Sequence, residues 1–174
     1  LRSSGLSATR VALHGPDAGV HDAILGLSGA FDATVAGIRN LNTLGVPVTL
    51  SVVLGQGNIR HLNDIVALAD SLGSALSFRW PRQGQLNIPE GARSVRNAFS
   101  RAMVGHGWPK GRFEVVDIPR CLAPEALLVI RGSEALESPE APQCNGCAQA
   151  GNCPGPTQVQ IDEGISEHLR PEFA

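Results

Sequence analysis

Over the first 118 residues the apolar positions alternate between two periods. Four runs rich in β-branched and aromatic residues read as strands: 10–14 (RVALH), 46–54 (VPVTLSVVL), 75–80 (ALSFRW) and 112–118 (RFEVVDI). The run over 46–54 is nearly continuous, which predicts a strand buried on both faces. Between these runs the apolar residues recur at intervals of three and four. Phe31, Val35, Ile38, Leu41 and Leu44 give one stripe of a helix over 29–44, with Ser28 as its N-cap and Gly45 as its stop. Leu62, Ile65, Val66, Ala69 and Leu72 give the stripe of a second helix, opened by Asn58 and ended by Gly73. A third helix is predicted over 89–105 through Val95, Phe99, Ala102 and Met103. Residues 15–28 carry Gly, Pro and Asp punctuation and read as a loop.

The order is therefore β-α-β-α-β-α-β. Strands separated by helices of this length favour parallel crossovers and an α/β sheet. After residue 118 the pattern is lost. Residues 119–157 hold six prolines and all four cysteines, and predict an irregular segment. A last helix is expected over 157–169 through Ile161, Ile165 and Leu169. This divides the chain into 1–118 and a cysteine-rich 119–174.

Composition narrows the function. With 174 residues the prior is one domain, and 43 % apolar residues suffice for a core. A net charge of −2 points away from nucleic acid and anionic membrane surfaces. No run of 18 apolar residues exists, and the opening LRSSGLSATR has no signal-peptide core, so a cytoplasmic location is expected. The opening also lacks Met, so the chain is expected to begin inside a longer reading frame or after processing.

The cysteines carry the candidate chemistry. Cys144 and Cys147 form a C-x-x-C pair around Asn145-Gly146, Cys153 follows before Pro154-Gly155, and Cys121 lies upstream. Two thiolates three apart on a Gly-containing turn can face one metal, with Cys153 and Cys121 completing a four-thiolate site. Such a set suits zinc or an iron–sulfur cluster, and ligand identity alone does not choose. Two disulfides are disfavoured by the lack of an export signal, and a thioredoxin-like pair because it should sit at the end of a strand that opens a helix.

Two segments together resemble the radical SAM superfamily. The first runs from VALHG at 11–15 through His21-Asp22, GAFDATVAGIRNL at 29–41 and GVPV at 45–48 to NIRHL at 58–62. It is similar to the fourth strand, fourth helix and fifth strand of that family's partial (β/α)6 barrel. The second comprises DIPRCL at 117–122, residues 144–155 and LRPEF at 169–173. It is similar to the tails of members that carry a SPASM- or twitch-like auxiliary cluster. The resemblance implies the C-terminal part of such a TIM-like barrel followed by an irregular cysteine-rich tail, with an auxiliary 4Fe–4S cluster on Cys121, Cys144, Cys147 and Cys153. It implies His14, Ser51 and Arg79 as cofactor-contacting residues at the strand ends. Each has a plainer alternative: a turn histidine bonded to backbone, a core hydroxyl and a surface ion pair. His21-Asp22 would bind a substrate or order its loop, and capping fully accounts for Asn58.

The departure from the family is large. The chain has no C-x-x-x-C-x-x-C motif, which ligates the cluster that binds and cleaves S-adenosylmethionine, and no Gly-Gly-Glu stretch. Ala12 stands where many relatives have Ser. The implied chemistry is formation of a 5′-deoxyadenosyl radical that abstracts hydrogen from an unknown substrate, a peptide or a small molecule. S-adenosylmethionine and the second 4Fe–4S cluster would belong only to an intact protein, so no catalytic residue is assigned within this chain. Two other classes stay open: a zinc-stapled interaction module without activity, and a decayed fragment that folds poorly because half a barrel leaves open sheet edges.

Overall fold

The computed structural model describes residues 5–81, 96–97, 99–100, 113–122, 129–130, 141–156, 158–162 and 164–169. Its centre is a five-stranded parallel sheet in the order β1-β2-β3-β4-β5. The strands are β1 (Thr9–Ala12), β2 (Val48–Val53), β3 (Ala75–Arg79), β4 (Phe113–Val116) and β5 (Val129–Ile130). Helices α1 (Ala18–Leu25) and α2 (Ala30–Thr43) connect β1 to β2, and α3 (Leu62–Ser71) connects β2 to β3. The α/β reading with parallel strands is what the structure shows.

Each strand is added beside the one before it, always in the same direction. With right-handed crossovers, such an order puts the connecting helices on one face. Val35 and Ile38 of α2 and Ile65, Val66 and Ala69 of α3 join one core with Leu13, Val48, Leu50, Val52, Leu76, Phe78, Phe113 and Val115. Phe78, Phe113 and Phe99, the last in helical backbone, meet edge to face with centroids 5.4–5.8 Å apart. The residues at 101–105 and 89–95 of the predicted third helix lie outside the described set.

The other face of the sheet is polar. Arg10 Nη1 donates to Ser77 Oγ on β3 and to Glu114 Oε1 on β4, both at 2.7 Å. Across a flat sheet β1 and β4 would stand three strand spacings apart, about 14 Å. Contact between these side chains means that the sheet curls toward this polar face.

Several expectations need correction. Residues 18–25 are helical, not loop: Asp17 caps α1 by accepting from Val20 N–H at 2.9 Å, and Gly26 ends it at φ 66°. The punctuation read as a loop is thus a pair of helix caps. Ser28 does not cap α2. The N-cap is Gly29 at φ 79°, and the Asp22 carboxylate, reaching over from α1, takes the Gly29 and Phe31 N–H groups at 2.7 and 2.8 Å. On α2 the stripe is graded: Val35 and Ile38 are buried, Phe31 and Leu41 half-buried, and Leu44 exposed. Strand β2 is not buried on both faces, since Thr49, Ser51 and Val53 are only half-buried. The irregular segment contains the two-residue strand β5. The last helix is two pieces, a helix at Gln158–Asp162 and a 3-10 turn at Ile165–His168, separated by Gly164 at φ 86°.

The tail is anchored to the sheet. Leu122, Ala141, Ile165 and Leu169 are buried in the same core as the strands. Buried Gln160 donates through Nε2 to the Asp117 carbonyl at 2.9 Å. Among the described residues no helix is long and apolar enough to cross a membrane.

Candidate functional site

Ligands of parallel α/β sheets collect beyond the carboxyl ends of the strands, where the loops leave the sheet. Here a cavity of about 530 Å³ opens at the ends of β1 and β2. Its lining includes His14, Ile24, Leu25, Val53 and the 55–58 turn. The α1 side is apolar and its rim is exposed through Ile24, Leu25 and the neighbouring Leu27.

The turn that forms the far wall is held by Asn58. Its Oδ1 accepts from Gly55 N–H and its Nδ2 donates to the Val53 carbonyl, each at 2.8 Å. No side-chain cap bond to a helix is made by Asn58. The expectation that Asn58 caps α3 is therefore corrected: α3 is preceded by a 3-10 turn at Ile59–His61, and Asn58 ties the loop back to β2. A buried amide with donor and acceptor both used is a rigid brace.

His14 sits just past β1. Its backbone N–H donates to His21 Nδ1 at 3.0 Å, and the two rings stack with centroids 6.1 Å apart and planes at 16°. Burial holds the His14 imidazole below the usual histidine range, and His21 adds to this. Burial also lowers His21, with Asp22 acting the other way. Both rings are thus biased toward the neutral form. His21-Asp22 orders its corner of the fold: His21 ties α1 to β1, and Asp22 caps α2.

Ser51 and Arg79 lie on the face of the sheet that carries Arg10, Ser77 and Glu114. Ser51 is level with Ala12 and Ser77, and Arg79 is level with Val53 and Val116. Val53 lines the cavity, so Arg79 stands one strand away from it. Arg79 makes no ion pair among the described residues. His14, Ser51 and Arg79 are thus brought to one end of three adjacent strands, but only His14 lines the cavity. The Arg10–Ser77–Glu114 network was not foreseen from sequence. Its signal was the polar residue that interrupts each strand at the same alternate parity.

The tail cysteines lie near one another. Cys144-Asn145-Gly146-Cys147 is a type II turn, closed by Cys147 N–H donating to the Cys144 carbonyl at 3.1 Å, with Asn145 at φ −63°, ψ 124° and Gly146 at φ 75°. Cys153 Sγ accepts from Arg120 N–H at 3.1 Å and from Gly155 N–H at 3.4 Å. The first of these bonds brings Cys153 to the segment that carries Cys121. Burial raises the Cys144 thiol above the usual range, and the nearby Cys153 and Cys147 raise it further. All four cysteines are half-buried and none is in a disulfide. The donor types and the amide bonds to sulfur fit a thiolate site. Among the described residues, however, no three His, Cys, Asp or Glu side chains are placed to hold one metal ion.

No family model matches the chain. Three curated proteins are similar over part of it, each named AdoMet-dependent heme synthase. The one from Nitratidesulfovibrio vulgaris is 30% identical over 74 residues, 42% of this chain and 20% of the relative. That from Oleidesulfovibrio alaskensis is 31% identical over 75 residues, 43% of this chain and 19% of the relative. That from Methanosarcina barkeri is 31% identical over 74 residues, 42% of this chain and 21% of the relative. The chain thus spans about a fifth of the length of the curated relatives it matches.

Proposed function

We propose that this chain is a segment of a radical SAM enzyme. It contributes the β1–β3 strand ends to an S-adenosylmethionine site and carries an auxiliary iron–sulfur cluster in its tail. The observation that carries the reading is the similarity to proteins named AdoMet-dependent heme synthase. The singly wound parallel sheet, with its polar face and its cavity at the strand ends, supports it. In this reading His14, Ser51 and Arg79 face the cofactor, His14 as a neutral hydrogen-bonding ring and Arg79 as a cation for a carboxylate. Cys144, Cys147, Cys153 and Cys121 hold the auxiliary 4Fe–4S cluster, and the Arg120 and Gly155 amides lower the charge on Cys153 sulfur. When bound, the cluster and S-adenosylmethionine supply the one-electron and radical chemistry. The substrate is a peptide or small molecule, with the tetrapyrrole of the relatives' name as the first class to try.

The test is anaerobic incubation of the chain with ferrous iron and sulfide, followed by S-adenosylmethionine and dithionite. The reading expects a brown protein with broad absorbance near ~400 nm from thiolate-to-iron charge transfer. It also expects no 5′-deoxyadenosine from this chain alone, because its 174 residues contain no C-x-x-x-C-x-x-C. Stoichiometric zinc that iron does not replace, with no cluster spectrum, would overturn the cluster in favour of a zinc-stapled module.

A further inference from the structure

His21 is fully buried (0% exposed), yet its sequence position is the middle of a short, mostly exposed helix. Its surroundings explain the burial. Nδ1 accepts the His14 N–H at 3.0 Å, and the ring lies against His14 on one side and edge to face against Phe31 of α2 on another, at 6.0 Å. Its own backbone N–H donates to the Asp17 carbonyl at 3.0 Å. The chain also crosses Gly15 so closely that a Cβ there would stand 2.6 Å from His21 N and 2.7 Å from Val20 Cβ. These contacts, which fix the path from β1 into α1, converge on His21 and its backbone N–H.

An Nδ1 that accepts must carry a lone pair, so the ring is the neutral Nε2–H tautomer. Nε2 is buried with no hydrogen-bond partner among the described residues. Protonation would place an N–H on Nδ1 facing the N–H of His14, two donors head to head. It would also put a charge in a site where the facing titratable groups are the His14 ring and the Asp22 carboxylate, and Asp22 is already committed to the Gly29 and Phe31 amides. We propose that His21 is a positioning residue that works as a proton-sensitive latch: the neutral ring holds His14 and the β1–α1 turn in place at the wall of the cavity, and protonation releases them. The latch rests on the geometry of this corner and holds whichever ligand the cavity takes.

The sign follows from linkage. A histidine held below its ordinary value in the folded chain leaves the closed corner unaffected above about pH 6.5, and opens it progressively as pH falls below that. The direction of the His21 shift agrees. The experiment is NMR on the whole 174-residue chain, with ring ¹⁵N shifts for the His21 tautomer and hydrogen-exchange protection factors for the His14 amide between pH 7.5 and 5. Wild type should show Nε2–H at high pH and lose protection at His14 by about tenfold on acidification, the size of one net hydrogen bond. His21→Phe keeps the bulk and the stacking but not the acceptor, and should leave the His14 amide unprotected at every pH. His21→Asn supplies Oδ1 near the place of Nδ1 without a titrating ring, and should keep protection while abolishing the pH step. An Nδ1–H tautomer in wild type, full protection in His21→Phe, or a pH step that survives in His21→Asn would each overturn the latch.

Discussion

Replacing Asp22 by Ala removes the cap of a helix on which Asp22 does not itself lie. Its two carboxylate oxygens accept from Gly29 at 2.7 Å and from Phe31 at 2.8 Å, the N-cap and second residue of α2. Gly29 has no side chain to do this. Loss of a capping side chain costs about 0.5–2 kcal/mol, and a carboxylate at a helix N-terminus adds a favourable charge–dipole contribution of about 0.3–1 kcal/mol. The sum places Asp22→Ala about 0.8–3 kcal/mol below wild type. Asp22→Asn keeps one acceptor oxygen and loses the charge, so it should fall about midway. For a chain of this size that corresponds to a fall in Tm of roughly 2–12 °C for Asp22→Ala. Urea unfolding followed by circular dichroism measures the free energy, and an unchanged m-value would show that the folded state keeps its extent. If Asp22→Ala unfolds within about 0.3 kcal/mol of wild type, two charge-assisted bonds at a helix end count for nothing here and the reasoning fails.

Other outcomes follow from single contacts. Asn58→Ala leaves Gly55 N–H and the Val53 carbonyl without their partner, and should cost about 2 kcal/mol by chemical unfolding. Gly15→Ala puts a methyl into the backbone of His21 and the Val20 side chain and should cost about 1–3 kcal/mol, with a thermal melt as the check. Phe78→Ala empties the centre of the aromatic trio and should cost about 3–5 kcal/mol, enough to leave a large unfolded fraction by gel filtration and circular dichroism. Arg10→Met should cost under about 1 kcal/mol, because the Arg10 side chain is 45% exposed, and the difference from wild type should shrink further in high salt.

The sheet was legible in the sequence because β1 to β4 fall in short runs rich in apolar residues and bounded by turn residues. The predicted runs contain β2, β3 and β4 whole and all of β1 but Thr9, and both α2 and α3 carry their apolar stripes inward. What failed to read was which backbone groups the polar and turn residues serve. Pro16, Asp17 and Gly26 look like loop punctuation, yet Asp17 and Gly26 cap α1. Ser28 sits at the right position to cap α2, but Asp22 on the preceding helix does so instead. Asn58 precedes a helix and braces a loop. Only the Asp22 bonds join separate helices; the Asp17, Gly26 and Asn58 bonds are local, and what hid them is that the same residue types serve loops and caps alike. β5 has only two residues and no period to detect. The tail cysteines were visible from their spacing alone, and the type II turn follows from Gly146 at the third position of the C-x-x-C. The position of Cys121 relative to Cys153 was not, since it depends on how residues 120–122 meet a turn more than thirty residues away.

The proposal that the tail thiols hold an iron–sulfur cluster can be tested directly by anaerobic native mass spectrometry of the reconstituted chain, with wild type beside Cys144→Ser, Cys147→Ser and Cys153→Ser. The account predicts one four-iron, four-sulfide unit per wild-type chain and its loss from each variant, with folded circular dichroism spectra throughout. A wild-type chain that carries zinc alone, or no metal, or a cluster that survives in Cys147→Ser, would contradict it.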